Sequence, residues 1–409
     1  MMSSRIAYCS AALLAVVIAT LPMSAGAQTE NLADAGNQAI SLHGFGTLGV
    51  ARSSTDSAEF VRDLSQPSGL TKQWSGKIDS VLGVQANIRA TDKVEAVVQA
   101  VSRYHADGNF EPELMWAFVK YDPNANLSLR GGRLGTEFYM LADSRLVGYS
   151  YLPIRPPTDY YGALPFSYID GVDGQATLPV GDGLLRGKLF TGLVREKAPL
   201  ADRQWDMNRS RMTGGHVDYQ QGSWQWRLGY AQVRFKQDLP LADLHNLLES
   251  NGANAASQAL SMAGKLGRFS SAGVVYDNGP LQVQLMLSRT WQDSSIFENS
   301  HAAYLIAGYR FDKLTPFIGY SRVRSTPKQL ATGLGAVMDA TVASVMADSH
   351  NDQHTTTIGL RWDFRRNMDL KAQFDMVRGT PQSIFPTRWE RPDYNGRMNI
   401  TSLSMDFVF

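Results

Sequence analysis

The chain of 409 residues has one cysteine, Cys9. Neither a disulfide framework nor a cysteine-built zinc site is therefore available to it. It also lacks an excess of either charge: 39 Lys and Arg stand against 38 Asp and Glu, whereas a nucleic-acid binder would carry a basic surplus. Charged residues make up only 19%, below the roughly 25% usual in soluble domains. Beyond the first segment there is no apolar run of the about 18 residues that a membrane-crossing helix needs. The nearest approach, Ala331 to Ala347, is interrupted by Asp339 and spread with Gly and Thr. What the chain does have is 44% hydrophobic residues, 10% aromatics and 36 glycines, a composition that excludes disorder.

Residues 1–27 open with Arg5, continue through an apolar run from Ala7 to Ala19, and reach Ala25, Gly26 and Ala27. A short apolar core followed by small residues is the form of a secretory signal peptide. The expectation is an export signal over 1–27, with Cys9 inside it, and one domain over 28–409. No cysteine stands at the cleavage point, so lipid anchoring there is excluded.

Alternation with period two recurs along the rest of the chain, separated in turn by short turn-like connections and longer polar ones. Strands are expected near 39–51, 80–90, 94–104, 113–121, 127–133, 171–180, 184–194, 213–220, 224–235, 269–277, 280–290, 302–311, 314–323, 354–364, 368–377 and 398–409. The predicted fold class is all-β: an antiparallel transmembrane β-barrel of about sixteen strands, with short turns at one end and long loops at the other. Leu82, Val84, Ala86 and Ile88 alternate with Gly83, Gln85, Asn87 and Arg89, and Ile358, Leu360 and Trp362 with Gly359, Arg361 and Asp363. One apolar face per strand opposite a charged one suits lipid outside and water inside. Tyr121, Trp224, Trp226, Tyr276, Phe311 and Phe364 cluster beside the short turns, as rings at a membrane interface do. The last strand places Leu403, Met405, Phe407 and Phe409 on one face.

The stretches SLHGFGTLGV (Ser41 to Val50), GVQANIRATDKVEAVVQ (Gly83 to Gln99) and WAFVKYDPNANLSLRGGRLG (Trp116 to Gly135), with the terminal Phe409, resemble the general porins of Gram-negative bacteria. Those are trimeric, sixteen-stranded diffusion channels of the outer membrane. The resemblance implies a homotrimer, contact with membrane lipids and lipopolysaccharide, and a loop after the fifth strand that folds into the barrel and narrows it. The corresponding connection is 134–170, which carries Glu137, Asp143, Asp159 and Asp170, Arg145 and Arg155, and a rigid Arg155-Pro156-Pro157 corner. It lacks the PEFGG-like sequence of enteric porins, so inward folding is inferred from position and length.

Inward parity selects Arg89, Arg103 and Arg130 on the strands before that loop, and further round Arg186, Lys188, Arg227, Arg310, Arg361 and Lys371. The candidate pore constriction is Arg89, Arg103 and Arg130 facing Glu137 and Asp143, because opposed charges across a narrow wet gap set up a field that favours polar solutes. Inward acids such as Asp79, Glu95, Asp218, Asp363, Asp369 and Asp375 nearly balance the bases. The sign of selectivity is therefore left open, and a phosphate-specific channel, which would need a dense basic lining, is disfavoured.

The histidines show no metal-ligand spacing. His216 with Asp218, and His43 with Ser41, share strand faces and are the pairs a barrel hydrolase could use. Asp170 to Gly174 reads as a turn, and Leu241 to Leu266 and Gln329 to Met346 as short helices in loops. The resulting expectation is an outer-membrane porin passing small hydrophilic solutes and ions, without cofactor, metal, nucleic acid or enzymatic reaction. The alternatives are a channel selective for a sugar, dicarboxylate or anion, and a plugged structural or adhesive barrel.

Overall fold

The computed structural model describes residues 39–163, 166–200, 203–381, 383, 387–388 and 390–409. The expected signal segment, 1–27, lies outside the described residues. Sixteen strands form one closed antiparallel barrel. In chain order they are β1 Ile40–Ser53, β2 Val81–Thr91, β3 Val94–Arg103, β4 Glu113–Asn124, β5 Leu127–Gly135, β6 Tyr168–Val180, β7 Gly183–Val194 and β8 Arg211–Gln221, followed by β9 Trp224–Arg234, β10 Leu266–Asp277, β11 Leu281–Gln292, β12 Asn299–Tyr309, β13 Leu314–Thr326, β14 Asp352–Arg365, β15 Met368–Gly379 and β16 Arg397–Val408. Each pairs with its chain neighbour, and β1 closes on β16 from Phe45 opposite Val408 to Ser53 opposite Ile400. Closure leaves no sheet edge to aggregate.

The strands are tied at one end by tight connections such as Asp92-Lys93, Gly181-Asp182, Gly222-Ser223 and Arg366-Asn367. Gly181 and Gly222 sit at φ 58° and 54°, the left-handed backbone that two-residue hairpin turns demand. The other end carries the long loops. These hold short ribbons, Lys197–Leu200 against Arg203–Asp206 and Glu59–Phe60 against Thr387–Arg388. They also hold helices, α1 Thr158–Tyr161, α2 Ala242–Ser250, α3 Asn254–Leu260 and α4 Ala336–Ala347. Among the described residues no helix is long and apolar enough to cross a membrane.

Period-two patterning is what selects these strands. Burial along β13 alternates strictly over its whole length. The outward positions are aliphatic and open, with Leu189 75% and Leu228 66% exposed. Each such leucine left in water would forgo about 1.5–3 kcal/mol of burial, so an outer wall built from them is stable only against an apolar phase. Tyr276 packs on Trp224, and Trp224 on Trp226, with centroids 4.6 and 5.8 Å apart. This aromatic group lies at the tight-turn end.

Two expectations are corrected. The connection after β5 is shorter than 134–170, because Leu134 and Gly135 complete β5 while Tyr168 to Asp170 open β6. For the same reason Asp170 to Gly174 is strand and not a turn: it pairs residue by residue with Leu129 to Arg133.

Candidate pore constriction

The loop 136–167 leaves β5 and runs across the interior, tied to strands around most of the wall. Against β9 and β10, the Phe138 carbonyl accepts from Ser271 Oγ at 3.1 Å and the Tyr139 carbonyl from Arg227 Nη1 at 2.9 Å. Gly229 makes this approach possible, since a Cβ there would overlap the Phe138 carbonyl. On the opposite wall, Lys371 Nζ donates to the Gly148 carbonyl at 2.7 Å, and Arg361 Nη1 to the carbonyls of Tyr149 and Tyr151 at 2.8 and 2.9 Å. Arg155 then meets Asp79 at 2.6 and 2.8 Å, Asp375 at 2.7 Å and Ser402 at 2.6 Å. Helix α1 completes the circuit, where Asp159 accepts from Ser321 and Gln353, both at 2.6 Å. Burial pushes the Asp159 carboxyl pKa up, against the hydrogen bonds from Ser321 and Gln353.

Between these anchors the loop buries Phe138, Tyr139, Met140, Tyr160 and Tyr161 against Phe190, Phe269, Met286, Tyr304 and Phe317 of the inner wall. The largest apolar cluster among the described residues is therefore inside the barrel, along one side of it, with smaller ones around Ala51, Val377 and Ile400 and around Phe45 and Val101. Period-two parity could not show this, because a position that faces inward may face either water or a folded loop.

Beside this core, charges converge. Arg130 donates to Glu137 at 2.8 Å and to Asp173 at 3.0 and 2.5 Å. Lys188 Nζ reaches the other Glu137 oxygen at 2.6 Å. Burial alone would raise Glu137, but the Lys188 and Arg130 charges and their hydrogen bonds hold its pKa down at about 2. His216 Nδ1 bonds the Glu137 carbonyl at 2.6 Å, which fixes the backbone at the same point. Asp143 is open to solvent yet enclosed by protein. That enclosure, followed by the nearby Glu137 carboxylate, raises its pKa against the opposing charges of Arg227 and Lys188.

Of the five residues selected from sequence, Arg130 and Glu137 are in direct contact and Asp143 shares their electrostatic neighbourhood. Arg89 lies in the same cross-strand row as Arg130, with Glu95 and Lys120 on the two strands between them, and Arg103 stands apart. Arg89 lies opposite Glu95 beside the Asp92-Lys93 turn. Arg103 lies opposite Val81 at the far end of β3, where it donates to Ser65 at 2.9 Å and sits 3.4 Å from Glu113. The eight residue steps from Glu95 to Arg103 span about 26 Å of strand, which is too far for Arg103 to share one constriction with Arg130. Lys188 and Asp173 join Arg130 and Glu137: parity puts Lys188 on the lumenal face, and Asp173 falls in the segment expected as a turn.

The hydrolase-like pairs are accounted for structurally. His216 faces Asp218 at 3.6 Å, but Asp218 is held by Arg227 at 2.5 and 2.8 Å. His43 bonds Ser41 at 3.2 Å in an exposed position. Among the described residues no group of three or more His, Cys, Asp or Glu is arranged to hold a metal.

No protein-family model and no curated protein matches the sequence. Solved structures do match its shape. The outer-membrane expressed OmpT of Vibrio cholerae aligns with TM-score 0.53 and 12% identity over 91% of this chain and 98% of its own. The fold is that of the outer-membrane porins. An anion-selective porin from Comamonas acidovorans gives TM-score 0.52 at 13% identity, covering 90% and 99% of the two chains. OprB of Pseudomonas putida gives 0.56 at 9%, covering 92% and 96%. At these identities the likeness is one of fold.

Proposed function

We propose that the protein is an outer-membrane channel through which small hydrophilic solutes and ions diffuse passively, and that loop 136–167 sets its width. The observation that carries this reading is the loop's position: it is anchored across the lumen of a closed barrel and brings Glu137 against Arg130 and Lys188. Such a cluster offers both signs of charge to a passing dipole and needs no cofactor or reaction. Conductance in a planar bilayer tests it, and purified protein should hydrolyse neither phospholipid nor peptide.

A narrower, substrate-selective channel is the second reading, favoured by the aromatic packing of Tyr139, Tyr160, Tyr161 and Tyr304 inside the barrel. It predicts low ion conductance that one class of solute blocks.

The same proposal includes a homotrimer. Outward residues of β2 and β3, among them Leu82, Val84, Ala86, Ile88, Val94, Ala96, Val98 and Ala100, carry neither ring nor charge. Strands β9 and β14 instead expose Trp224, Trp226 and Trp362. A wall without interfacial aromatics suits contact with another subunit, and native mass measurement in detergent should find three copies.

A further inference from the structure

Loop 54–80, between β1 and β2, also folds into the barrel. Its Phe60, Leu70 and Ile78 are buried in one cluster with Ala51 of β1, Val377 of β15 and Ile400 of β16, wall positions that share parity with the lumenal Asp375 and Asp406. This loop meets the constriction loop at two points. The Leu64 amide donates to the Gly162 carbonyl at 3.0 Å, and Arg62 Nη2 to the Arg145 carbonyl at 2.7 Å. Arg62 is 9% exposed, and burial pushes its pKa down against the nearby charges of Asp79 and Asp63. Enclosing a guanidinium is unfavourable, and what this one gains is a charge-assisted bond to a loop carbonyl.

The stretch it holds is strained. Leu141 sits at φ 63°, a left-handed backbone that a bulky side chain adopts rarely and at a cost, so the surroundings must enforce it. Leu141 and Ala142 pack on the interior aromatic cluster, and Leu146 and Val147 on the wall beside Phe45 and Val81. Between these ends the chain carries the exposed Asp143, two residues before Arg145. The Met140 and Leu141 carbonyls accept from Tyr161 and Tyr151 of the same loop, each at 3.1 Å. The Arg145 side chain also stays within the loop, donating to Tyr139 Oη at 3.2 Å and to Ser167 Oγ. Among the described residues, the hydrogen bond that reaches 140–147 from outside the loop is that of Arg62.

We propose that Arg62 is a positioning residue of the constriction: by holding the Arg145 carbonyl it fixes the bend that presents Asp143 to the pore. This rests on the channel reading and adds a second loop on which the charge of the passage depends. The groups that Asp143 faces are Glu137 of its own loop, Lys188 of β7 and Arg227 of β9. Without the tie the strained bend relaxes, and Asp143 withdraws from them.

The test is a double-mutant cycle on the full-length protein in a planar bilayer, read as reversal potential under a potassium chloride gradient. In the wild type, Asp143→Asn removes a negative charge and should shift the potential towards anions. In an Arg62→Met background, which keeps the bulk and loses the donor, that shift should fall to less than half. Arg62→Lys keeps a donor and should retain the shift. Gln66→Ala leaves every charge in place but frees the turn that presents Arg62, since Gln66 Oε1 accepts from the Arg62 amide at 2.9 Å. It should shrink the Asp143→Asn shift as well, and it carries the test if Arg62→Met yields no heat-modifiable barrel. An Asp143→Asn shift of the same size in every background overturns the positioning role, as does the absence of a shift in the wild type. Failure of the channel reading is distinguishable: neither the wild type nor any variant would then pass current.

Discussion

Arg155 and Asp79 form a two-pronged ion pair inside the barrel, at 2.8 and 2.6 Å, with both side chains almost wholly shielded from solvent. The arginine belongs to the loop that crosses the lumen, and the aspartate to the segment leading into β2. Asp375 of β15 and Ser402 of β16, on the neighbouring part of the wall, accept from Arg155 as well, so a single guanidinium ties the loop to three parts of the chain.

Replacing Arg155 with Ala leaves Asp79 and Asp375 buried without their cation. Breaking a buried pair from one side costs about 3–5 kcal/mol, and here the loss falls on the loop. The barrel should still assemble, since its ladders are untouched, but the loop should detach. Single-channel records of Arg155→Ala should show larger and noisier conductance than wild type. An unchanged current amplitude would mean that the loop does not limit flow.

Selectivity should follow the cluster that the fold assembles. The double variant Arg130→Gln/Lys188→Gln removes both cations from Glu137 and should shift the reversal potential in a salt gradient towards cations. Arg89→Gln, about a whole strand length from Arg103 and beside a turn, should shift it less. Equal shifts would show that the filter is distributed along the pore.

Two loop carboxyls give pH effects of opposite sign. Glu137 has its pKa lowered from 4.5 to about 2, so the stability it contributes is fully present above pH 4.5 and is lost as pH falls through about 2. The difference in reversal potential between wild type and Glu137→Gln should therefore persist down to about pH 3. Glu196, which accepts from the Ser167 amide at 2.7 and 3.0 Å, has its pKa raised from 4.5 to about 7 by burial. The folded state there holds its proton more tightly than the unfolded chain, so stability declines as pH rises from 4.5 to 7. Glu196→Gln should remove that decline in thermal unfolding measured across the same window. A slope unchanged by the substitution would contradict the assignment.

At Gly148 the loop presses close to the wall, and a Cβ there would overlap the Asp406 carboxylate and the Thr47 hydroxyl, which are bonded to each other. Gly148→Val should displace this turn and weaken the Lys371 tie to the Gly148 carbonyl. The expected outcome is faster proteolytic nicking within 136–167 while the barrel remains heat-modifiable. Wild-type resistance would show that the wall yields.

Strand number, order and facing were legible because lipid and water impose a two-residue period that a single sequence displays: Leu360 and Trp362 face out, Arg361 and Asp363 face in. The same rule found Arg130 and Lys188 on the lumenal face. It could not find their partners, which depend on where a loop lies. Arg89, Arg103 and Arg130 have the same parity, yet Arg103 lies eight residue steps along the strand from the row that Arg89 shares with Arg130, and that separation needs the register. The interior packing of Tyr160 and Tyr161 was equally hidden, since nothing in a local pattern tells an aromatic loop residue that folds inward from one that stays at the mouth.

The central claim is that a closed barrel narrowed by its own loop conducts. Single-channel recording of the refolded protein in a planar bilayer under a potassium chloride gradient tests it most directly. Stepwise openings, in groups of three if the subunits assemble as proposed, are the predicted result. A barrel that is folded, inserted and electrically silent would contradict it.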